Sequence, residues 1–276
     1  MKEITDFLVK LALAEDLGPG DITTRAVVGR GERAQAAVRA KERGVICGQA
    51  IAAEVFKHLD PRVKYAAKVK DGALVKKGKV IALVSGPARA ILTGERTALN
   101  FLQHLSGIAT LTRKFVARVP GTRCQVLDTR KTVPGLRLLE KYAVKCGGGA
   151  NHRLGLHDAI LIKDNHVKQA GGIGEAVYQV KRQGFRANKI EAEAKTLGEV
   201  KAALSVGVGR VLLDNMSVKM LRQAVKLCKK ARIKTEASGG VNLKNVRAIA
   251  KTGVDFISVG ALTHSAPALD ISLKVL

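Results

Sequence analysis

In the second half of the sequence, short apolar runs end abruptly in groups that can do chemistry. CQVLDTRK brings Arg130 and Lys131, GGGANHR brings His152 and Arg153, and AILIKDNH brings Lys163. An arginine fork grips carboxylate or phosphate at two points, lysine is a movable point charge, and histidine donates from a ring nitrogen. Together they want a strongly anionic ligand. Any one of them could simply pair with Asp128, Asp158 or Asp164, but convergence of the whole set on strand ends favours a shared site. KIEAEAK and RVLLDN end differently, on Glu193 and Asp214. Their hard oxygens suit Mg²⁺ carried in with a pyrophosphate, or hydrogen bonds from ribose hydroxyls, and either role implies a phosphorylated sugar. ASGG (237–240) and SVGAL (258–262) close the last two runs with small residues. Such loops can turn backbone N–H groups toward a phosphate, although glycine turns are common and each alone is a weak signal.

These residues act together only if their runs lie side by side. The runs ending in DTRK, KDNH, EAEAK, LLDN, EASGG and SVGAL recur every roughly 20 to 35 residues with helical stretches between them, as βα units do in a parallel barrel or a doubly wound sheet. Ligands of such folds sit outside the carboxyl ends of the strands, so ILI is read as wall and KDNH as rim. The first part of the chain reads as α+β. A helix is expected over residues 3–16, then a loop rich in Gly and Pro, then AQAAVRAKERGVICG, whose alternation implies paired strands. AIAAEVFKHL is a short helix, and KVKDGALVKKGKVIALVSG carries the turn signals Asp71-Gly72 and Lys77-Gly78 of an antiparallel sheet with hairpins. TGERTALNFLQHLSGIATLTRKFVARV has helical spacing, with Thr93 as N-cap and Glu95 in the first turn. Arg96 then stands beside the positive end of the helix dipole, at a cost of a few tenths to about 1 kcal/mol if exposed. A solvated arginine is the ordinary explanation, and an arginine held there to meet an anion is the sharper one.

Composition narrows the function classes. A chain of 276 residues that is 46% hydrophobic can bury a sizeable core. Its 48 Lys and Arg against 23 Asp and Glu give +25, which favours phosphates, polycarboxylates, nucleic acid or an anionic membrane as partners. Specific nucleic-acid binding fits poorly, because aromatic content is 3% and the basic residues are scattered. Cys47, Cys124, Cys146 and Cys228 are far apart, with no CxxC pair to suggest zinc or a redox dithiol, so reduced thiols in a cytoplasmic protein are expected. No uncharged apolar run approaches the roughly 18 residues of a membrane span, and the amino terminus does not read as a signal peptide. His152 and His157 lack metalloprotease spacing, and GGIGEA lacks the third glycine of a dinucleotide fingerprint. The rival enzyme class is a Schiff-base lyase using Lys163, if burial deprotonated it.

EDLGPGDITT, GERTALNFLQHLSGIATLT, DTRKTVPGLRLLEKYAVKCGGGANHRLGLHDAILIKDNH, LLDN, EASGGV and SVGALTHSAPALDISL resemble the quinolinate phosphoribosyltransferase family, also called nicotinate-nucleotide pyrophosphorylase (carboxylating). The resemblance runs from about Glu15 to the carboxyl terminus and is most specific over residues 128–166. It implies an α/β fold: an amino-terminal α/β sandwich lobe (1–110), an irregular α/β barrel (111–265) and a carboxyl tail (266–276) returning to the first lobe. It also implies a homodimer in which Arg96 enters the partner's site. By carry-over, Thr129, Arg130, Lys131, His152, Arg153 and Lys163 surround quinolinate and the phosphates of phosphoribosyl pyrophosphate, with Lys131 and Lys163 near the reacting centre. Glu193 and Asp214 face the ribose and its Mg²⁺, and Ser238, Gly239, Gly240, Gly260 and Ala261 surround the 5-phosphate, with no organic cofactor. Lys195 departs from the family pattern, which has an acidic residue there, and makes that strand end more basic. The nearest alternative by resemblance is a related phosphoribosyltransferase acting on another pyridine carboxylate, such as the homologues associated with molybdate transport.

Overall fold

The computed structural model describes residues 2–276. Its contacts divide the chain into two compact units, Met1–Arg113 with Val133–Gly148 and Ser265–Leu276, and Lys114–Thr132 with Gly149–His264.

The first unit begins with α1 (Lys2–Leu17), α2 (Ile22–Val27), β1 (Arg33–Ala40), β2 (Gly44–Val45), α3 (Gln49–Leu59), β3 (Lys64–Ala67), β4 (Leu74–Val75), β5 (Val80–Pro87) and α4 (Ala88–Val116). The expected Gly- and Pro-rich loop contains α2, because Asp21 caps it by accepting from Thr24 N at 2.8 Å. The alternation over 34–48 does make strands, but β1 and β2 do not pair with each other. β1 lies between β5 and the final strand β12 (Ile271–Val275), and β2 pairs with β4. Ala36, Ala37, Val38 and Ala40 bury the centre of β1, and its register sets Val38 against Leu273 on one side and Ala82 on the other. Gly72 and Gly78 both have φ near +85°, the left-handed conformation that the turn signals required. They do not close simple hairpins, since β3 pairs with β5 and β4 is diverted to β2.

Two expectations about α4 fail together. The helix starts at Ala88, directly after Pro87, because ARAIL contains no breaker and continues the pattern backwards. Thr93 is therefore inside the helix, where its hydroxyl donates to Asp21 Oδ2 at 3.0 Å. Arg96 lies beyond the first turn and is exposed, so the dipole conflict argued for it does not exist.

The second unit holds a parallel sheet built from β6 (Gln125–Leu127), β7 (Ile160–Ile162), β8 (Ile190–Ala194), β9 (Arg210–Asp214), β10 (Lys234–Ser238) and β11 (Phe256–Ser258). The order β6-β11-β10-β9-β8-β7 puts two sequence neighbours at the ends, which is a barrel opened at one seam. The helices α6 (Asp164–Ala170), α7 (Ile173–Arg182), α8 (Leu197–Ser205), α9 (Val218–Lys230), α10 (Val246–Ala250) and α11 (Ala261–His264) alternate with its strands. Thr196 and Glu199 start α8 with a reciprocal capping box. The chain is thus α/β, with a barrel-like parallel sheet and a separate antiparallel sheet. The helix after β6, α5 (Arg137–Cys146), groups with the first unit although a linear reading assigns it to the barrel. Its Leu139, Ala143 and Val144 are buried, Glu140 meets His104 Nε2 at 2.8 Å, and Arg113 donates to Gly147 O at 2.9 Å. No helix among the described residues is long and apolar enough to cross a membrane.

Candidate active site

At the carboxyl ends of the parallel strands lies a cavity of ≈ 570 Å³, and it is lined by every site residue expected from the sequence except Arg96. Arg96 belongs to the first unit. The loop after β6 presents Thr129, Arg130 and Lys131. It is braced by Lys131 N donating to Thr129 Oγ1 at 3.0 Å and by the Thr263 hydroxyl donating to Lys131 O at 2.6 Å. Asp128, fully buried, organises the neighbouring loop by accepting from His152 N at 2.9 Å and from the Asn151 amide. It is an internal tie for GGGANHR, whereas Arg130 and Arg153 line the cavity.

Arg153 Nη1 donates to Ala159 O at 2.9 Å. Burial and the nearby Arg130 cation lower its pKa from the usual guanidinium range. Two guanidiniums that repel across a half-buried wall are stabilised by an anion placed between them.

His152 behaves differently from the sequence expectation of a donor to the ligand. Nδ1 accepts from Arg153 N at 2.7 Å, while Nε2 faces Glu191 at 3.1 Å and Glu236 at 3.5 Å. Burial opposes its charge, but the two carboxylates outweigh burial and raise its pKa. Glu236 is fully buried and is pushed up to about 7 by burial and by Glu191, although Arg210 contacts it at 2.8 Å. Beneath the cation wall there is therefore a packed layer of His152, Glu191, Glu236 and Arg210.

The carboxylates at the strand ends, Glu193 on β8 and Asp214 on β9, both face the cavity. Burial, followed by the charge of Asp214, raises the pKa of Glu193, so a cation brought between these groups would be stabilised. Lys195 supplies part of that charge, since its Nζ is 3.9 Å from Glu193 and 2.6 Å from Asp164. Ser238 ends β10, and Gly239 and Gly240 follow at φ +89° and +59°. Glycine is required at 239, because a Cβ there would collide with the Asn215 side chain. Gly260 lets the Lys131 chain pass, as an added Cβ would stand 3.0 Å from Lys131 Cδ. Lys163, at the start of α6, is exposed at the rim, so the desolvation on which a Schiff-base role depends is missing.

Asn215, Glu236 and His264 also line the cavity and were not singled out in the sequence. The signal for the inner layer was available in strand periodicity. Stepping back two residues from Glu193 gives Glu191, from Ser238 gives Glu236, and from Asp214 gives Leu212 and then Arg210. Asn215 carried no such mark, because its role beside Gly239 depends on a left-handed φ of 53°.

A parallel sheet that collects cations and carboxylates from so many of its strand ends defines an α/β-barrel enzyme with an active site for anionic substrates. Family models narrow the class. The amino-terminal domain of quinolinate phosphoribosyl transferase matches residues 21–106, and its carboxyl-terminal domain matches 108–274. The chain belongs to the quinolinate phosphoribosyltransferase family. It is 45% identical to a probable nicotinate-nucleotide pyrophosphorylase [carboxylating] of Bacillus subtilis, over 95% of this chain and 90% of that one. A chloroplastic nicotinate-nucleotide pyrophosphorylase [carboxylating] of Arabidopsis thaliana is 47% identical over 97% of this chain and 82% of its own. The solved nicotinate-nucleotide pyrophosphorylase of Francisella tularensis superposes with a TM-score of 0.95 at 42% identity, over 100% of this chain and 97% of that one.

Proposed function

We propose that the cavity transfers the phosphoribosyl group of phosphoribosyl pyrophosphate to quinolinate with decarboxylation, giving nicotinate mononucleotide, CO₂ and pyrophosphate in pyridine nucleotide synthesis. The observation that carries the reading is that one ≈ 570 Å³ cavity is lined both by the cations Arg130, Lys131, Arg153 and Lys163 and by the carboxylates Glu193 and Asp214. Quinolinate is a dianion and the donor is more negative still, so holding them together needs cations on several sides. Arg130 and Arg153 take the two carboxylates, joined by Arg96 of a second protomer in a homodimer. Lys131 and Lys163 face the reacting centre and the pyrophosphate. Ser238, Gly239, Gly240, Gly260 and Ala261 bind the 5-phosphate, and Glu193 and Asp214 accept from the ribose hydroxyls.

The repulsion between Glu193 and Asp214 suits Mg²⁺ arriving with the donor. Two carboxylates plus substrate oxygens are a usual magnesium set, and the ion would supply charge neutralisation of the departing pyrophosphate. The protein's own share is orientation and preorganised charge. Pyrophosphate leaves C1 of the ribose with its bonding pair. The oxocarbenium-like centre, screened by Glu193 and Asp214, is attacked by the pyridine nitrogen. Loss of the adjacent carboxylate as CO₂ leaves its electron pair on the ring carbon, where the positive charge of the now quaternary nitrogen stabilises it until that carbon takes up a proton. No organic cofactor enters this scheme.

Incubation with quinolinate, phosphoribosyl pyrophosphate and Mg²⁺ should yield nicotinate mononucleotide and equimolar CO₂. Turnover of nicotinate, or of another pyridine carboxylate, in preference to quinolinate would overturn the substrate assignment.

A further inference from the structure

We propose that Cys47, Asp71 and Cys146, in the first unit, form a binding site for a thiophilic divalent cation of the zinc class, separate from the cation that accompanies the donor. The spacing of the cysteines gave no sign of zinc, but folding brings two of them together. One sulfur from each cysteine and one Asp71 oxygen all lie within 4.8 Å of one another. Three points so spaced share a centre no more than about 2.8 Å from each, against ~2.3 Å for a Zn–S bond and ~2.0–2.2 Å for a Zn–O bond, so a small inward movement brings all three donors into bonding range. Thiolate sulfur with one carboxylate selects zinc or cadmium over magnesium or calcium.

The ligand-bearing segments are already held. Gly72 N donates to Ile46 O at 2.8 Å and Ile46 N to Ala73 O at 3.0 Å, which ties the Cys47 segment to the Asp71 turn. Cys47 N donates to Ser106 Oγ at 2.9 Å. Gly72 packs against Cys146, whose carbonyl would be 3.3 Å from a Cβ at that position. Asp71 is aimed by outer partners. Gly48 N and Gln49 N donate to its two oxygens at 3.1 and 3.2 Å, and the Tyr142 hydroxyl donates at 3.0 Å. Hydrogen bonds of this kind orient a metal-binding carboxylate.

A cation entering from the half-buried Cys146 side displaces the thiol protons to solvent, so affinity falls as pH falls. Among the described residues, the other cluster close enough to share an ion is His152, Glu191 and Glu236, but Arg210 already contacts Glu236 at 2.8 Å, and it carries no such proposal.

The test is titration of the reduced full chain with Cd²⁺, following cadmium–thiolate charge-transfer absorption and bound metal by elemental analysis. About one cadmium per chain is expected, with the absorption band, displacement by Zn²⁺, a raised melting temperature and protection of Cys146 from alkylation. Cys146→Ser should abolish the band and the bound equivalent. It is the deciding variant, because Cys47 is fully buried and its replacement risks misfolding. Unchanged cadmium binding in Cys146→Ser, absence of the band, or conversion of the pair to a disulfide by oxidised glutathione in the presence of equimolar Zn²⁺ would each overturn the proposal.

Discussion

Arg130 and Arg153 illustrate how a single side chain's surroundings report its task. A structural ion pair would leave the guanidinium well partnered, whereas Arg153 is held beside another cation and its pKa is lowered by burial and by Arg130. Replacing Arg153 with alanine should raise the quinolinate KM by roughly 30- to 150-fold, the worth of a charge-assisted bidentate contact, while the KM for the sugar donor changes by less than about threefold. Equal effects on both would reject the assignment. Glu236 gives a second test through stability. Its pKa in the fold, about 7, is above the ordinary value of 4.5, so burial favours the protonated form. The stability it contributes is fully present below about pH 4.5 and is lost as pH rises through about 7. Glu236→Gln should therefore compare better with the parent at pH 8 than at pH 5, as read from melting temperatures. The opposite trend would show that the Arg210 contact governs this carboxylate. At this scale the rim was legible in the sequence because polar residues stood where apolar runs stopped. Glu236 was passed over, because one acid inside KTEAS looks like any solvated strand residue unless it is counted two residues back from Ser238, in the inward phase of β10.

Among the elements, β10 and the turn that follows it show geometry constraining residue choice. Gly239 combines a φ of +89° with the Asn215 side chain where a Cβ would go. Gly239→Ala should lower stability by about 1–3 kcal/mol and raise the donor KM more than the quinolinate KM, measured by chemical denaturation and by steady-state kinetics. A loss of stability with both KM values untouched would leave the turn a purely structural role. The parallel strands were legible because each is a short apolar run with a polar stop, a pattern local to its own sequence. Pairing in the first unit was not. β1 joins strands far along the chain, and β2 leaves its neighbour for β4, choices made by tertiary packing that no local alternation encodes. The start of α4 was misread for the converse reason. Thr93 is a good capping residue in isolation, yet the helix-forming ARAIL before it let the helix begin earlier, and Asp21 claimed the hydroxyl.

For the whole molecule, the charge of +25 favours encounter with two polyanionic substrates, but a net charge has no address. What distributes it usefully is the fold, and Arg96 is the residue whose proposed use depends on assembly. The expected dipole conflict that singled it out is absent, since α4 begins well before it, so its assignment rests on family resemblance and on its exposure. A mixing experiment separates use in its own chain from use in a partner. Arg96→Ala and Lys163→Met each remove one component of the proposed site, and each homodimer should be nearly inactive. When the two are mixed under conditions of subunit exchange, half of the dimers are mixed. In each of these, one site has an intact barrel mouth and receives an intact Arg96 from across the interface. About a quarter of the sites, and hence about a quarter of parental kcat, should return. If Arg96 serves only the chain that carries it, no site in any mixed dimer is whole and activity stays at the level of the separate variants.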